Sequence, residues 1–176
     1  WRQPDSAAVD ESVEVFGPSA AAALYRRSML DQIGLFDETL FAYYEDVDLA
    51  WRAQWAGWRC LYVPTARVEH VHSATSGQGS PFKNFLLGRN KWLVILKNYP
   101  FSRLWWYVPL MILIDLGAAL VATIRTRSAS SIRGRWAAVR LWPNVRHWQR
   151  EVRAKQTRQS IDWRNIFSPI QLKRRS

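Results

Sequence analysis

The stretch FAYYEDVDLAWR, from Phe41 to Arg52, decides how the rest of the chain is interpreted. Two carboxylates, Asp46 and Asp48, lie where apolar residues begin to recur at helical spacing, so we expect a helix to start there and to stop at Gly57. Acidic residues at this position are most often caps or partners of the helix dipole. We expect Asp48 to be such a cap.

Short strand and helix signals flank this stretch. Residues 14–16 have the pattern of a strand end, and Ser19 can cap a helix that starts in the alanine run after it. Gly34 is a typical helix stop. Beyond the central helix, residues 58–63 and 66–72 are expected to form short strands.

The second half of the chain reads mainly as helix. Ser80 and Pro81 form a helix start, and the apolar spacing continues until Asn98 and Pro100. Residues 132–159 are expected to form two short basic helices separated by Pro143. The candidate buried side chains of these two helices are Trp136, Val139, Trp148 and Val152.

The net charge of +11 is distributed unevenly along the chain. Residues 1–80 carry 6 Lys/Arg against 11 Asp/Glu, whereas residues 81–176 carry 19 against 3. A basic segment that is also rich in tryptophan suits an anionic membrane surface, because indole rings favour the headgroup layer and cations meet lipid phosphates. Nucleic acid is the alternative partner, and we consider it unlikely because the adjoining apolar run has no role in that interpretation.

That apolar run, residues 104–124, has the length of about 20 residues that a spanning helix needs. Asp115 lies at its centre, where a carboxylate costs roughly 2.5 to 3.5 kcal/mol, and Pro109 interrupts helical hydrogen bonding. We therefore expect a re-entrant or interfacial helical pair that bends near Asp115 and Gly117. The single cysteine, Cys60, excludes an internal disulfide and fits a reducing, cytoplasmic setting.

Five motifs in a fixed order identify a family resemblance. The motifs are Gly17 with a small-residue helix and Arg26-Arg27, GLFDE at Gly34–Glu38, FAYYEDVDLAWR at Phe41–Arg52, Gly57-Trp58 with VPTARVEH ending at His70, and Arg89-Asn90. Over residues 14–98 the chain thereby resembles the family 2 glycosyltransferases of the rhamnosyltransferase-like kind. Five coupled elements rarely recur by accident.

The resemblance implies roles for particular residues. Asp46 matches the general base that takes the proton of the acceptor hydroxyl, and Glu45 lies beside it as an acceptor contact. Arg89 could reach the diphosphate of the donor, although it could equally be a solvated charge. His70 matches a histidine that completes the shell of a divalent cation, Mn²⁺ or Mg²⁺, and His72 is the alternative ligand. Asp46-Val47-Asp48 has the spacing of a metal-binding DxD, which we reject because the family's motif lies in the nucleotide-binding half.

The implied fold is α/β: the C-terminal portion of a GT-A type nucleotide-sugar transferase, followed by membrane-associated helices. We divide the chain into an acceptor-side part (1–100), an apolar membrane-associated segment (101–127) and a basic helical tail (128–176). The resemblance also implies that most of the nucleotide-sugar half, and with it most of the cation shell, is missing. We therefore expect this chain to be inactive by itself.

The implied reaction is an inverting transfer of a sugar from a nucleotide sugar to a lipid-linked or polysaccharide acceptor. Nucleotide sugars are cytoplasmic, so the site should face the cytoplasm, and the positive-inside tendency holds the basic tail there too. We expect a peripheral or re-entrant protein at the cytoplasmic face of the membrane. Two other interpretations stay open: a non-catalytic, membrane-bound interaction module, and a nucleic-acid-binding tail.

Overall fold

The computed structural model describes residues 12–68, 80–99, 105–158 and 161. Two strands, β1 (Val13–Val15) and β2 (Cys60–Tyr62), pair antiparallel with Val13 opposite Tyr62. The α-helices in these residues are α1 (Arg27–Ile33), α2 (Glu45–Trp55), α3 (Pro81–Asn98), α4 (Val108–Thr126), α5 (Ser130–Arg140) and α6 (Trp142–Ala154). Single turns of 3₁₀ helix lie at Ala20–Ala22 and Trp105–Tyr107.

The described part is mostly helical, and the sheet expected of an α/β fold is represented in it by these two strands. The helix stop at Gly34 and the helix from Pro81 to Asn98 are confirmed. The Ser19 hydroxyl accepts a hydrogen bond from the Ala21 N–H at 3.4 Å, but the capped helix is only one turn long. Residues 66–68 form no strand, and 69–72 lie outside the described residues.

Helix α3 contacts α2, α4, α5 and α6, and its closest neighbour is α5. Two glycines make this approach possible. A Cβ built on Gly88 would lie 2.5 Å from the Ser131 carbonyl oxygen, and one on Gly134 would lie 2.1 Å from that of Phe85. Any side chain at either position would push the two backbones apart. The basic tail therefore packs on the acceptor-side part through α5.

Three small apolar clusters hold the helices together. Met29, Ile33 and Leu49 join α1 to α2. Leu40, Leu93, Val94 and Ala138 join the loop before α2 to α3 and α5. Trp55, Val152 and Ile161 join α2 to α6.

The predicted burial of the two basic helices is partly wrong. Val152 is buried and Trp148 packs against an apolar cluster, but Trp136 and Val139 are more than half exposed. Helix α5 instead buries its small side chains, Ser131, Gly134 and Ala138, which lie on one face at helical spacing. Close packing on α3 needs small residues, so the larger apolar residues of α5 lie on the outer face.

Helix α4 is the one helix of the described part that is long and apolar enough, by length and composition, to cross a membrane. It runs without interruption from Val108 to Thr126, so the predicted bend near Asp115 and Gly117 is wrong for this structure. Pro109 lies in the first turn, where its missing N–H costs no hydrogen bond. Asp115 needs no bend, because it is neutralised by partners on α3 and α5.

Those partners surround the Asp115 carboxylate. The Arg135 guanidinium donates to both carboxylate oxygens at 2.7 Å, the Trp92 indole donates at 2.6 Å, and Lys91 forms an ion pair with it. Burial alone would raise the pKa of Asp115, but these hydrogen bonds lower it to about 2. Asp115 thus fastens the inner face of α4 to the helical body.

Candidate active site

The loop before α2 has an unusual backbone. Phe41, Tyr43 and Tyr44 have φ angles of 61°, 66° and 69°, in the left-handed region that side chains with a Cβ rarely adopt. Each such residue costs roughly 1 to 3 kcal/mol and persists only where its surroundings enforce it. The carboxylates of Glu45 and Asp46 follow directly, so this loop fixes where the acidic pair begins.

Asn90, in the middle of α3, enforces the loop conformation. Its fully buried side chain donates from Nδ2 to the backbone carbonyls of Leu40 at 2.7 Å and of Ala42 and Tyr43 at 2.8 Å. The amide thus supplies a donor to the Ala42 and Tyr43 carbonyls, while the Leu40 carbonyl also accepts from the Ala42 N–H and from Arg89.

Arg89 works alongside Asn90. Its Nη2 donates to the carbonyls of Thr39 and Leu40 at 2.9 and 3.2 Å, and its Nε donates to Asn90 Oδ1 at 2.8 Å. Burial lowers the pKa of the guanidinium. In this structure Arg89 therefore supports the loop, while its predicted contact with a donor diphosphate stays a prediction. We call these two residues the Arg89–Asn90 clamp.

Asp46 lies in the first turn of α2 and faces the 3₁₀ turn that follows Gly17. Its Oδ2 accepts a hydrogen bond from the Ala20 N–H at 3.1 Å, and its Oδ1 accepts one from the Val47 N–H at 2.8 Å. A carboxylate has about four acceptor positions, so lone pairs remain for an incoming hydroxyl. The side chain is only half-buried, which leaves it within reach of a ligand.

Glu45 and Tyr25 each bring a polar atom to the same place. Glu45 Oε2 and the Tyr25 hydroxyl are buried, and neither has a hydrogen-bond partner among the described residues. The pKa of Tyr25 is raised, first by burial and then by the negative charges of Asp46, Cys60 and Glu45, which places its ring close to the acidic pair. Buried polar groups are usually hydrogen-bonded, so these two atoms are candidates to meet a bound ligand.

Asp48 has a different role from its neighbours, and the expectation that it caps the helix is wrong. It is completely buried and accepts from Arg52 Nε at 2.8 Å, Lys97 Nζ at 3.0 Å and Asn98 Nδ2 at 2.9 Å. Asp48 lies one turn into α2, on the buried side that faces α3. Its carboxylate therefore pairs with the cations of Arg52 and Lys97 and not with the N–H groups at the start of the helix. Tyr44, the residue at the N-cap, makes no side-chain cap.

The Asp48 network connects the two acidic motifs of the sequence. Arg52 donates to the carbonyls of Ile33, Gly34 and Leu35, at the start of GLFDE. Lys97 also pairs with Asp37 at 2.9 Å. Burial raises the pKa of Asp37, but hydrogen bonds from Thr39 and Lys97 lower it by more. These charges are therefore used for structure, and Asp48 is enclosed by cations that would repel a metal ion.

The described residues do not fit a divalent cation by themselves. No group of three or more His, Cys, Asp or Glu side chains in 12–68, 80–99, 105–158 and 161 could hold a metal ion. The predicted ligand His70 and its alternative His72 lie outside the described residues. The assignment of either histidine stays a prediction.

Two functional candidates were missed by sequence reasoning. Asn90 was noted only as part of a motif, although a polar residue among Leu86, Leu93 and Val94 on the buried side of α3 is a signal that it has partners inside the protein. No sequence pattern marks Tyr25 as a functional residue, because its approach to the acidic pair depends on how the segment after Gly17 folds back on α2.

Comparison with known proteins agrees with the motifs. Residues 2–86 match the family model described as glycosyltransferase like family 2. N-acetylglucosaminyl-diphospho-decaprenol L-rhamnosyltransferase of Mycobacterium tuberculosis is 36% identical over 111 residues, which are 63% of this chain and 35% of that protein. Pre-mycofactocin glycosyltransferase of the same organism is 41% identical over 70 residues, 40% of this chain and 14% of that protein.

The chain spans about a third of the length of the rhamnosyltransferases that it matches. No solved structure matches it. The matched residues include the acidic pair, and both curated relatives transfer sugars by name. The comparisons therefore confirm the resemblance that the motifs predict, to the family 2 glycosyltransferases of the rhamnosyltransferase-like kind.

Proposed function

We propose that this chain supplies the acceptor side of an inverting glycosyltransferase that transfers a sugar from a nucleotide sugar to a lipid-linked acceptor. The observation that carries the proposal is the acidic pair, Glu45 and Asp46, at a helix start that the Arg89–Asn90 clamp holds in a strained conformation. Strain that is held in place next to polar groups is typical of active sites.

In the proposed step, Asp46 takes the proton of an acceptor hydroxyl as the oxygen attacks the anomeric carbon. The bond from that carbon to the diphosphate breaks on the opposite face, so the configuration inverts and the nucleoside diphosphate leaves with the bonding electrons. Glu45 Oε2 and the Tyr25 hydroxyl would accept from or donate to other hydroxyls of the acceptor sugar. Such contacts orient the acceptor for attack.

The relatives support the substrate class. The mycobacterial rhamnosyltransferase acts, by its name, on N-acetylglucosaminyl-diphospho-decaprenol. We infer a polyprenyl-diphosphate-linked sugar as acceptor, and a GT-A type fold in which the donor binds mainly outside the residues described above. A divalent cation would neutralise the leaving diphosphate. His70 is proposed as one of its ligands on the strength of the VPTARVEH motif.

We also propose that the protein lies on the cytoplasmic face of the membrane without crossing it through α4. The inner face of α4 is fastened by Asp115 to α3 and α5, which belong to the same packed body as the acidic pair. Its outer face exposes apolar side chains, and Trp105, Trp106 and Tyr107 precede it. Indole and phenol rings at the end of an exposed apolar face suit the headgroup layer.

Labelling of single cysteines tests this arrangement. In a Cys60→Ser background, Ser102→Cys and Ser128→Cys lie on either side of α4. Both should react with an impermeant thiol reagent only from the cytoplasmic side of sealed vesicles. Labelling of Ser128→Cys from the opposite side would show that α4 crosses the bilayer.

The transfer itself is tested with the full-length protein in detergent micelles. A nucleoside diphosphate-rhamnose and a polyprenyl-diphospho-N-acetylglucosamine acceptor should give a glycosylated lipid whose new linkage, by NMR, has the anomeric configuration opposite to that of the donor. A product of the same configuration would exclude the inverting step. Absence of transfer from a panel of nucleotide sugars, together with retarded migration of DNA or RNA, would favour the nucleic-acid interpretation.

A further inference from the structure

Helices α4 and α5 form an apolar groove that the proposed chemistry does not use. The groove encloses about 290 Å³, close to the lower limit of small-molecule sites. Leu116 and Leu120 of α4 form one wall, Ile132, Trp136 and Val139 of α5 form the other, and Ala119 lies between them. The five larger side chains are all about half exposed or more, so they are not part of the core.

Arg135, the polar side chain among the described residues that line this groove, has no donor to offer a ligand. Its Nε and Nη2 donate to the Asp115 carboxylate, Nη2 also reaches the Asp115 carbonyl, and Nη1 donates to the carbonyl and hydroxyl of Ser131. All five N–H groups of the guanidinium are thus directed at protein acceptors. A sugar, a phosphate or an extended peptide would lose hydrogen bonds in this groove, whereas a hydrocarbon chain would lose none.

The groove lies between the exposed apolar face of α4 and α5, the helix that packs beside the clamp. On one side it continues into the exposed apolar face of α4. On the other, α5 contacts α3 through Gly134, where an added Cβ would lie 3.0 Å from the Arg89 backbone nitrogen. Arg89 belongs to the clamp that holds the loop before Glu45. A lipid whose head lies at the acidic pair would therefore have its tail on this side of the molecule.

We propose that the groove binds the isoprenoid chain of the acceptor, close to its diphosphate. This inference rests on the proposed function, since it requires a polyprenyl-linked acceptor. At about 290 Å³ the groove accommodates part of such a chain, and the rest would stay in the bilayer. The groove would make the enzyme selective for chain length by burying hydrocarbon that a short acceptor lacks.

A matched pair of substitutions on α4 tests the groove. Leu120→Gln, combined with Trp136→Gln, places amides in the groove, whereas Leu113→Gln makes the same change on α4 outside the groove lining, at a similarly exposed leucine. Transfer is measured in detergent micelles, where membrane recruitment plays no part. The acceptors are polyprenyl-diphospho-N-acetylglucosamines with one, three and ten isoprene units.

We expect the parent and Leu113→Gln to have a KM about tenfold lower for the long chains than for the single unit. The groove variant should lose this preference, because its KM for the three- and ten-unit acceptors rises to that for the one-unit acceptor, while its melting temperature stays unchanged. Equal chain-length preference in all three proteins would overturn the proposal that the groove binds the isoprenoid chain, while leaving the proposed function intact. The same result with a change of oligomeric state in the groove variant would assign the groove to a second protein copy. Absence of transfer to every acceptor would contradict the proposed function itself.

Discussion

The Asn90 side chain donates a 2.8 Å hydrogen bond to the backbone carbonyl of Tyr43, a residue 47 positions earlier in the chain. Tyr43 has a left-handed backbone and lies two residues before Glu45. The carboxylates that would bind the acceptor are therefore placed by α3 as much as by their own helix. In the same way, Asp115 connects α4 to α3 and α5, so the exposed apolar helix α4 and the acidic pair share one support.

Replacing Asn90 by leucine tests this support. Asn90→Leu keeps the branched shape of the side chain but removes one donor from each of the carbonyls of Leu40, Ala42 and Tyr43, which should cost roughly 1 to 3 kcal/mol in the free energy of unfolding. Because the loop would relax, we also expect kcat to fall by at least about tenfold with donor binding retained. Asn144→Leu, at an exposed position of α6, is the matched control and should change neither quantity. Unchanged kcat in Asn90→Leu would show that the clamp serves stability alone.

The Asp115 cluster predicts how stability depends on pH. The pKa of Asp115 is lower in the folded protein, about 2, than in the unfolded chain, so its contribution is present above about pH 4 and is lost as the pH falls towards 2. Asp115→Asn should lower stability at pH 7, because it leaves Lys91 and Arg135 without their counter-charge, and should flatten the acid part of the unfolding curve.

Urea unfolding at several pH values measures this effect. Asp31→Asn removes an exposed carboxylate that pairs with Arg27 on the surface, and such pairs contribute little. It should therefore preserve the acid dependence of the parent. Parallel curves for the parent and Asp115→Asn between about pH 4 and 2 would contradict the role of Asp115.

Tyr25→Phe tests whether the Tyr25 hydroxyl contacts a ligand or stabilises the fold. The hydroxyl has no hydrogen-bond partner among the described residues, so its removal should leave the melting temperature within about 2 °C. If the hydroxyl contacts the acceptor, KM for the acceptor should rise about tenfold. Tyr62→Phe, on β2, should alter neither quantity. A clear loss of stability in Tyr25→Phe with an unchanged KM would assign the hydroxyl to the fold.

The sequence predicted most of what depends on local pattern. The helix from Pro81 to Asn98 begins with a proline and a capping serine, and these signals need no tertiary information. Local sequence pattern could not show that the role of Asp48 differs from the roles of Glu45 and Asp46. Its role depends on Lys97 and Asn98, about 50 residues away, which reach it only once α3 has packed on α2.

The continuity of α4 could not be predicted for the same reason, since it depends on residues that are distant in the sequence. From the sequence alone, a carboxylate at the centre of an apolar run argues for a break. Lys91 and Arg135, which neutralise it, lie 24 and 20 residues away on other helices. Likewise, the apolar pattern of the basic helices predicts that Trp136 is buried, whereas the close approach of α5 to α3 selects small side chains.

A metal titration tests whether His70, which lies outside the described residues, is a ligand of the divalent cation. His70→Ala should raise the Mn²⁺ concentration for half-maximal activity of the full-length protein about tenfold or more, because one ligand is lost. His72→Ala is the matched control and should have a smaller effect. Superimposable titration curves for the parent and His70→Ala would remove His70 from the cation shell.

The most direct test of the account is turnover of Asp46→Asn in the full-length protein, measured beside donor binding by calorimetry. The amide keeps the size of the side chain and can still accept a hydrogen bond from the Ala20 N–H, but it cannot take a proton. We predict that kcat falls by roughly 10² to 10⁴ with donor affinity within about threefold of the parent, while Glu38→Gln, in the neighbouring acidic motif, stays near the parent rate. A kcat for Asp46→Asn within about threefold of the parent would contradict the assignment of Asp46 as the general base.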